Sequence, residues 1–428
     1  MKTAIFVPAK GTSERIRNKN IQILDGEYLF KRKLLQVLNC SEVDEVWLDS
    51  ESDLFHNITS DLNIKHLHRD KDLASNSVDG HEIFYNQTRH TDADIVVQVL
   101  CTAPFIDETV IDNALRLLKN SSASSLVGVY KDKFYEWKEG KPSYGEKIPN
   151  SIDLPEIVLE AMSLYAVKTN KNPYPKRYTD NVILYDLTPK QRIDVNNPED
   201  LELARDICAG ERLKKVQQFK ILSKNISSCL LSDICKEHGY SHYLSKNIKQ
   251  LSSGNFLGFA KTLKIQALKK EKDWEGIFDA LKSYSFVEAG DVIVVSTEVP
   301  EKAYFGDLNA TFAVRQGAVG VVVDGMTRDI ERVQKLDLPV YAHGTSADDV
   351  RYEGTFETMN MPININGVTV KNNDIIFADG DGVICIEQKN WNFVLSEIKK
   401  SLNKEMQVKL EATFGADPFE VLNTVGTF

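Results

Sequence analysis

Short apolar segments alternate with helical patterns through the first half of the chain, and this alternation most restricts its fold. The strand-like segments are 3–8, 45–49 and 94–100, and helical patterns such as 28–38 and 81–88 lie between them. Strands that alternate with helices predict a parallel sheet covered on both faces. Ligands of such sheets bind at the carboxyl ends of the strands. The segments that follow these strands are therefore where we expect chemistry.

A second set of elements begins after Ser227. The sequence Asn197-Pro198-Glu199-Asp200 predicts a helix start, with an N-cap, a proline and acids in the first turn. A polar stretch at 214–224 follows this helix, and we predict domains of residues 1–217 and 218–428 on that basis. The second domain is expected to be α/β and richer in strands. Its predicted strands are 256–263, 291–296, 319–323, 340–342, 375–377 and 383–386, and its helices fall near 273–282, 310–316 and 391–402.

Composition excludes several classes of protein. The formal net charge is −10 and no basic block occurs, which argues against nucleic-acid binding as the main role. No apolar run is long enough for a membrane span, and the N-terminus MKTAIFVPAK lacks the long apolar core of a signal peptide. The six cysteines form no CxxC pair, so a zinc site is not expected. We predict a cytoplasmic protein with reduced cysteines that does not bind membranes.

The loop after the first strand carries the strongest chemical pattern, PAKGTSERIRNKN at 8–20. A glycine, hydroxyls and several cations directly after a strand can wrap a triphosphate. The pattern is neither a Walker loop nor GxGxxG, and from charge and position alone a solvated surface loop is an equal alternative. The residues that would contact phosphate are Lys10, Gly11, Thr12, Ser13, Arg15, Arg17 and Lys19.

Four motifs in order resemble the CMP-sugar acid synthetases, the acylneuraminate and 3-deoxy-octulosonate cytidylyltransferase superfamily. The loop at 8–20 is similar to the family's PARGGSKRIPGKN. The other three are His68-Arg69 with LASN at 73–76, Gln98 with CTAPF at 101–105, and IDVNNPEDL at 193–201. The resemblance implies a Rossmann-like nucleotidyltransferase domain, a three-layer sandwich that transfers CMP from CTP to an acidic sugar and releases pyrophosphate.

The same resemblance implies the roles of individual residues. Arg15 and Lys19 are the candidate catalytic cations of this half, and Asp194 and Asn196 occupy the positions of the family's Mg²⁺-binding pair. Mg²⁺ suits this chemistry because it prefers carboxylate and phosphate oxygens. The residues expected to bind the nucleotide are Lys10, Gly11, Thr12, Ser13, Asn20, Arg69 and Gln98.

The chain departs from the family pattern where the second substrate is expected. Asn196 and Asn76 replace family aspartates, and Glu14 replaces a lysine. The cations that would bind the sugar carboxylate are not evident, and Lys141, Lys147 and the pair Lys176-Arg177 are the candidates. The acceptor therefore stays open between a sialic-type or ulosonic-type sugar acid and a phosphonate. A sugar-1-phosphate nucleotidyltransferase that uses another nucleotide is a further alternative.

A spaced motif marks the second half. Asp307 precedes Arg328 by 21 positions, Asp329 follows at once, and the apolar segment 319–323 leads to the pair. Arginine offers a planar fork for a carboxylate, aspartate offers a metal ligand, and Gly306 at a helix start offers an amide to an anion. These parts suit a 2-oxo acid that chelates a divalent metal, although an Arg-Asp pair alone is more often a surface feature.

This half resembles the RraA-like family, which includes class II 4-hydroxy-4-methyl-2-oxoglutarate aldolases. The resemblance runs from LSD at 231–233 through LGFAKT at 257–262 and the motif above to ADGDGV at 378–383. It implies an α/β domain of the swivelling type. Arg328 would be a catalytic residue that binds the substrate, Asp329 would contact Mg²⁺ or Mn²⁺, and Asp307 would hold a water. Gly306 belongs to the family's anion loop.

The two resemblances together predict a bifunctional enzyme. The second half would act as an aldolase or decarboxylase on a pyruvate-type or oxaloacetate-type 2-oxo acid. The alternative is that it is a non-catalytic module for assembly or regulation. Relatives of the first half form dimers and relatives of the second form trimers, so the resemblance implies a homo-oligomer, up to a hexamer.

Overall fold

The computed structural model describes residues 1–75, 77–269 and 271–426. Asn76 lies outside these residues. The chain divides into two compact units, Met1–Cys208 and Ala209–Phe428. The division falls within one long helix, Pro198–Leu222, where the sequence predicts a boundary after residue 217.

The first unit is a three-layer α/β structure. Its strands are β1 Thr3–Pro8, β2 Ile23–Leu24, β3 Glu27–Tyr28, β4 Glu45–Ser50, β5 Lys65–His68, β6 Ile95–Val99, β7 Ser125–Asp132, β8 Trp137–Lys138, β9 Lys141–Pro142, β10 Ile157–Lys168 and β11 Val182–Asp186. Its helices are α1 Leu29–Leu38, α2 Asp53–Ile58, α3 Gly80–Thr88, α4 Glu108–Lys119 and the beginning of α5 Pro198–Leu222, which continues into the second unit, with 3₁₀ turns at Lys19–Ile21, Lys71–Ala74 and Ser151–Asp153.

Seven of these strands form one sheet in the order β11-β7-β10-β6-β1-β4-β5. The strand β10 runs antiparallel to both of its neighbours, and the other pairs are parallel. Phe30 and Leu34 of α1 and Ile111 and Leu115 of α4 pack on one face of the sheet, and Phe84 of α3 packs on the other. This arrangement confirms the predicted three-layer sandwich.

The second unit is also α/β and richer in strands, as the sequence predicts. Its strands are β12 Lys249–Gln250, β13 Phe256–Ala267, β14 Asp291–Thr297, β15 Ala303–Phe305, β16 Gly320–Asp324, β17 Met326–Thr327, β18 Val340–Ala342, β19 Gly344–Thr345, β20 Gly354–Met359, β21 Ile363–Ile365, β22 Val368–Val370, β23 Ile375–Asp379 and β24 Gly382–Ile386. Its helices are α6 Ser228–Glu237, α7 Asp307–Arg315, α8 Ile330–Gln334, α9 Trp391–Thr413 and α10 Pro418–Val425, with 3₁₀ helices Glu271–Phe286 and Gln388–Asn390.

An eight-stranded sheet organises this unit. Its order is β12-β18-β16-β14-β13-β23-β24, and β20 pairs with β13 off this path. Strands β15, β17 and β19 form a separate three-stranded sheet in which neighbouring strands run parallel.

Among the described residues, no helix combines the length and the apolarity that crossing a membrane requires.

We expect Gly258→Ala to destabilise the second unit. A Cβ on Gly258 in β13 would lie 2.5 Å from the carbonyl oxygen of Gly290 and 2.8 Å from a methyl carbon of both Val292 and Val319. Overpacking of this kind costs about 1–3 kcal/mol. The measurement is urea denaturation, with hydrogen exchange in β13 identifying the transition of this unit.

Gly210→Ala is the matched control. Gly210 is an exposed residue of α5, and a Cβ there would meet nothing within 4 Å. The better helix propensity of alanine should stabilise the protein by up to about 1 kcal/mol. Equal effects of the two substitutions would contradict the steric argument.

Candidate active sites

The first candidate site lies at the carboxyl ends of β1 and β6. Parallel pairing of these strands brings the loop after Pro8 beside Leu100, Cys101 and Thr102, around a cavity of about 620 Å³. Most of the residues predicted to bind nucleotide or metal line this cavity: Lys10, Thr12, Ser13, Arg15, Lys19, Asn20, Arg69, Asp194 and Asn196. Glu14, Met162 and Arg177 also line it.

Gly11 lies in the loop, but its amide is already engaged. It donates to Oε1 of Glu51 over 2.6 Å, and Glu51 directly follows β4. A Cβ on Gly11 would lie 3.0 Å from Cβ of Ser52, so a side chain here would press against the end of β4. The absence of a side chain thus lets the loop approach β4 closely.

Gln98 is fully buried and is not among the residues that line the cavity. Its amide donates to Gln87 over 2.7 Å, and Gln87 donates to Asp49 over 2.6 Å. The other carboxylate oxygen of Asp49 accepts from Nε of Arg69 over 2.8 Å. Gln98 is therefore linked to the cavity through Arg69. Asp49 and Gln87 were missed by sequence reasoning, since neither stands in a recognisable motif.

Burial perturbs the two ionisable groups at the centre of the cavity. It lowers the pKa of Lys19 below its ordinary value, and it raises the pKa of Asp194. Nζ of Lys19 donates to the carbonyl of Val195 over 3.2 Å. Oδ1 of Asp194 is buried without a hydrogen bond of good geometry, although the Thr102 side chain lies close enough to the carboxyl to oppose the rise in its pKa. A buried carboxylate oxygen without a well-formed hydrogen bond is costly in isolation, so this atom is suited to accept a ligand.

Asn196 bridges Asp194 and Arg15. Its amide nitrogen donates to Oδ2 of Asp194 over 2.5 Å, and its amide oxygen accepts from Arg15 over 2.8 Å. Asp200 accepts the backbone amides of Asn196 and Asn197, which holds the turn. In this arrangement Asn196 orients Asp194 and Arg15, and its role as a metal ligand stays a prediction.

The second candidate site is built on the small parallel sheet. The amide of Arg328 donates to the carbonyl of Phe305 over 2.9 Å, which places Gly306 and Asp307 beside Arg328 and Asp329. A Cβ on Gly306 would lie 2.8 Å from Oδ2 of Asp329 and 3.1 Å from Cγ of Arg328. A side chain at this position would therefore displace the side chains of Asp329 and Arg328.

Salt bridges organise the charges of this second site. Asp307 accepts from Arg332 over 3.1 Å, and this hydrogen bond lowers the pKa of Asp307. Arg328 pairs with Asp349 over 2.5 Å, and its Nε lies 3.6 Å from Asp329. Sequence reasoning missed Arg332 and Asp349. The backbone of Asp349 pairs with that of Ala303 in an isolated parallel β-bridge, which brings Asp349 to the site. No local sequence pattern reveals a pairing of this kind.

A cavity of about 490 Å³ adjoins Arg328 and Asp307. One wall is apolar, and its residues come from the 3₁₀ helix Glu271–Phe286 and from α7: Ile277, Phe278, Ala280, Leu281, Leu308 and Phe312. The cavity can hold a small acid with its anionic end at the arginine and a carbon substituent against the apolar wall.

The described residues contain no cluster of three or more histidine, cysteine or acidic side chains suited to a metal. Mg²⁺ is often held by one or two carboxylates together with substrate oxygens and waters. Asp194, whose Oδ1 lacks a hydrogen bond of good geometry, fits such a role in the first site. Asp329, whose Oδ2 lies 3.6 Å from Nε of Arg328, is the carboxylate that suits this role in the second.

Comparisons with known proteins agree with the division of the chain into two units. The cytidylyltransferase family model matches residues 4–226, and the Aldolase/RraA family model matches residues 228–385. Protein DlpA of Legionella pneumophila is 30% identical over 188 residues, which cover 44% of this chain and 29% of that protein. An uncharacterized protein of Methanocaldococcus jannaschii is 30% identical over 168 residues, 39% of this chain and 77% of that protein.

A third relative, "Putative 4-hydroxy-4-methyl-2-oxoglutarate aldolase" of Halalkalibacterium halodurans, is 34% identical over 121 residues, 28% of this chain and 57% of that protein. The chain thus spans less than two thirds of the first and third of these relatives. The chain belongs to the cytidylyltransferase family through residues 4–226, and its residues 228–385 match the Aldolase/RraA family model.

Proposed function

We propose that the first unit transfers the cytidylyl group of CTP to an acidic acceptor, a sugar acid of the sialic or ulosonic type. The observation that carries this proposal is the single cavity that Lys10, Arg15, Lys19 and Asp194 line together, in which Oδ1 of Asp194 is buried without a hydrogen bond of good geometry. Cations of this kind stabilise a triphosphate, and the carboxylate suits the Mg²⁺ that accompanies it.

At phosphorus, the reaction forms one bond and breaks one. An acceptor hydroxyl oxygen attacks the α-phosphorus of CTP and gives up its proton to solvent, and pyrophosphate leaves with the bonding electron pair. Mg²⁺, when bound, neutralises phosphate charge. Lys19 and Arg15 offset the charge that develops on the phosphoryl oxygens, and fixed charges in a site that excludes water are commonly the largest catalytic contribution. Asn196 holds the side chains of Arg15 and Asp194 in fixed relative positions through its two hydrogen bonds.

We expect the affinity for CTP to fall as the pH becomes alkaline, and this fall should begin at a pH lower than the ordinary lysine pKa of 10.5. Burial lowers the pKa of Lys19 from its ordinary 10.5, and only the protonated amine attracts phosphate, so the attraction is lost as pH rises through the lowered pKa. Lys19→Arg should remove this alkaline loss because arginine stays charged. The measurement is KM for CTP against pH by pyrophosphate release. Lys147→Arg, at an exposed position, is the control, and an unchanged profile in Lys19→Arg would refute the assignment.

We expect Asp194→Asn to lower kcat/KM by about 100-fold, the scale of losing one electrostatic group in a preorganised site. Asn196→Asp should instead lower the Mg²⁺ concentration needed for half-maximal rate, because a second carboxylate would face the metal. Pyrophosphate release titrated with Mg²⁺ measures both effects. Asp153→Asn, at an exposed position, is the control. A normal rate in Asp194→Asn would exclude Asp194 as the metal ligand.

For the second unit, we propose metal-dependent cleavage or decarboxylation of a 2-oxo acid through an enolate. Arg328 would hold the carboxylate and offset the oxyanion charge, Asp329 would bind Mg²⁺ or Mn²⁺, and Asp307 would hold a water. Support comes from Arg328 and Asp307, which line one cavity beside an apolar wall, from Asp329, which lies 3.6 Å from Arg328, and from the name of the Halalkalibacterium relative.

A non-catalytic module is the second candidate for this unit. Its support is that Arg328 and Asp307 are each engaged by a partner, Asp349 and Arg332. In that case the unit would serve assembly, and copies of the chain would form a homo-oligomer with dimer and trimer contacts. Residence in the cytoplasm is part of both proposals.

Two substitutions separate the candidates. Arg328→Ala should lower pyruvate release from oxaloacetate or 4-hydroxy-4-methyl-2-oxoglutarate at least about 100-fold, and Asp349→Asn should lower KM because the arginine is released. Arg315→Ala, at an exposed position of α7, is the control. A module would show no turnover in any variant, and Arg328→Ala would keep its sedimentation coefficient and its rate of pyrophosphate release.

A further inference from the structure

We infer that Arg177 is the residue that binds the acidic group of the acceptor, a carboxylate or phosphonate oxyanion, in the first unit. This inference rests on the proposed cytidylyl transfer and assigns the site of the second substrate. Of the four cations that the sequence offers for this role, Arg177 is the one that lines the cavity. Lys141, Lys147 and Lys176 are exposed and are not among its lining residues.

The guanidinium of Arg177 is held in a defined slot. Its central carbon lies 4.7 Å from the centre of the Tyr165 ring, a cation–π distance. It also packs against Gly80, where a Cβ would overlap the guanidinium. Tyr165 is fully buried, and its hydroxyl donates to Glu160. The slot therefore orients a planar cation and leaves it little freedom to turn away.

Within the part of the chain that the structure describes, the guanidinium of Arg177 lies within hydrogen-bonding reach of the Tyr165 hydroxyl but makes no salt bridge. Its Nε is buried without a hydrogen-bond partner. Asp79, the nearby N-cap of α3, is engaged by the amides of His81 and Glu82. A buried N–H without a partner is costly, so the geometry is suited to an oxyanion that arrives with a ligand.

The sheet order separates this anion site from the triphosphate loop. The loop follows β1, and Tyr165 lies on β10, with β6 between them. Adjacent strands are about 4.8 Å apart, so β1 and β10 are about 10 Å apart across the sheet. Gln98 of β6 pairs with Phe6 on one side and Tyr165 on the other. An acceptor bridging this distance could have its oxyanion at Arg177 and its nucleophilic oxygen near the α-phosphorus.

Arg177→Gln tests the assignment. We expect KM for the acceptor to rise about 10- to 100-fold, the range for losing charged hydrogen bonds, while KM for CTP stays within about twofold. Arg177→Lys should recover only part of the affinity because it lacks the planar fork. Gly80→Ala keeps the charge and closes the slot, so it should also raise KM for the acceptor. Lys176→Gln is the matched control.

The acceptor probes are 3-deoxy-octulosonate, N-acetylneuraminate and 2-hydroxyethylphosphonate, each in pyrophosphate release with CTP, and the carboxamides of the two sugar acids. The wild type should prefer each acid over its carboxamide, and Arg177→Gln should lose this preference. Comparing the phosphonate with the two sugar acids shows whether the acidic group that Arg177 binds is a phosphonate or a carboxylate. An unchanged acceptor KM in both Arg177→Gln and Gly80→Ala overturns the inference, as does an equal rise in KM for CTP.

Calorimetric titration of the acids onto the full chain keeps this inference separable from the proposed function. If no acid is cytidylylated but one binds with an affinity that depends on Arg177, cytidylyl transfer fails and the anion site stands. If CTP is used but no acid affinity depends on Arg177, the anion site fails and the transfer stands.

Discussion

Parallel pairing of neighbouring strands is the constraint on which both candidate sites depend. Strands that run in the same direction end at the same edge, so the loops that follow them meet. In the first unit this brings the loop after β1 beside the end of β6. In the second, the pairing of β15 with β17 brings Gly306 beside Arg328. Residues far apart in the chain thereby share one cavity.

Buried polar groups then set the positions of the charged side chains. Asp49 is fully buried between Gln87 and Arg69, and a buried charge of this kind is tolerated only when it is paired and hydrogen-bonded. The second unit has a comparable group, in which Asp291 is fully buried and lies within ion-pair distance of Arg212 and Lys261. Such groups restrict the rotamers of arginines as well as neutralising charge.

Much of the first site was predictable because its residues lie in one continuous loop after an apolar strand. Three of the four cations of that loop, Lys10, Arg15 and Lys19, line the cavity, whereas Arg17 is exposed and is not among the lining residues. The prediction was less complete for Gln98, which is linked to the cavity through two intervening side chains. It was also incomplete for Asn196, which holds Arg15 and Asp194 together. Hydrogen bonds between side chains of distant strands produce no local periodicity or residue spacing, so the sequence does not predict them.

The sequence by itself determined the α/β class of both halves, the loop that carries the cations, and the Asp307, Arg328 and Asp329 set, because apolar periodicity and motif spacing are local properties. Only the tertiary structure decided which charges are already paired and which are left for a ligand. Asp349 closes on Arg328, whereas Nε of Arg177 stays unpaired between Tyr165 and Gly80. These differences arise from packing between elements distant in the chain, which determines the burial and the partners of each charge.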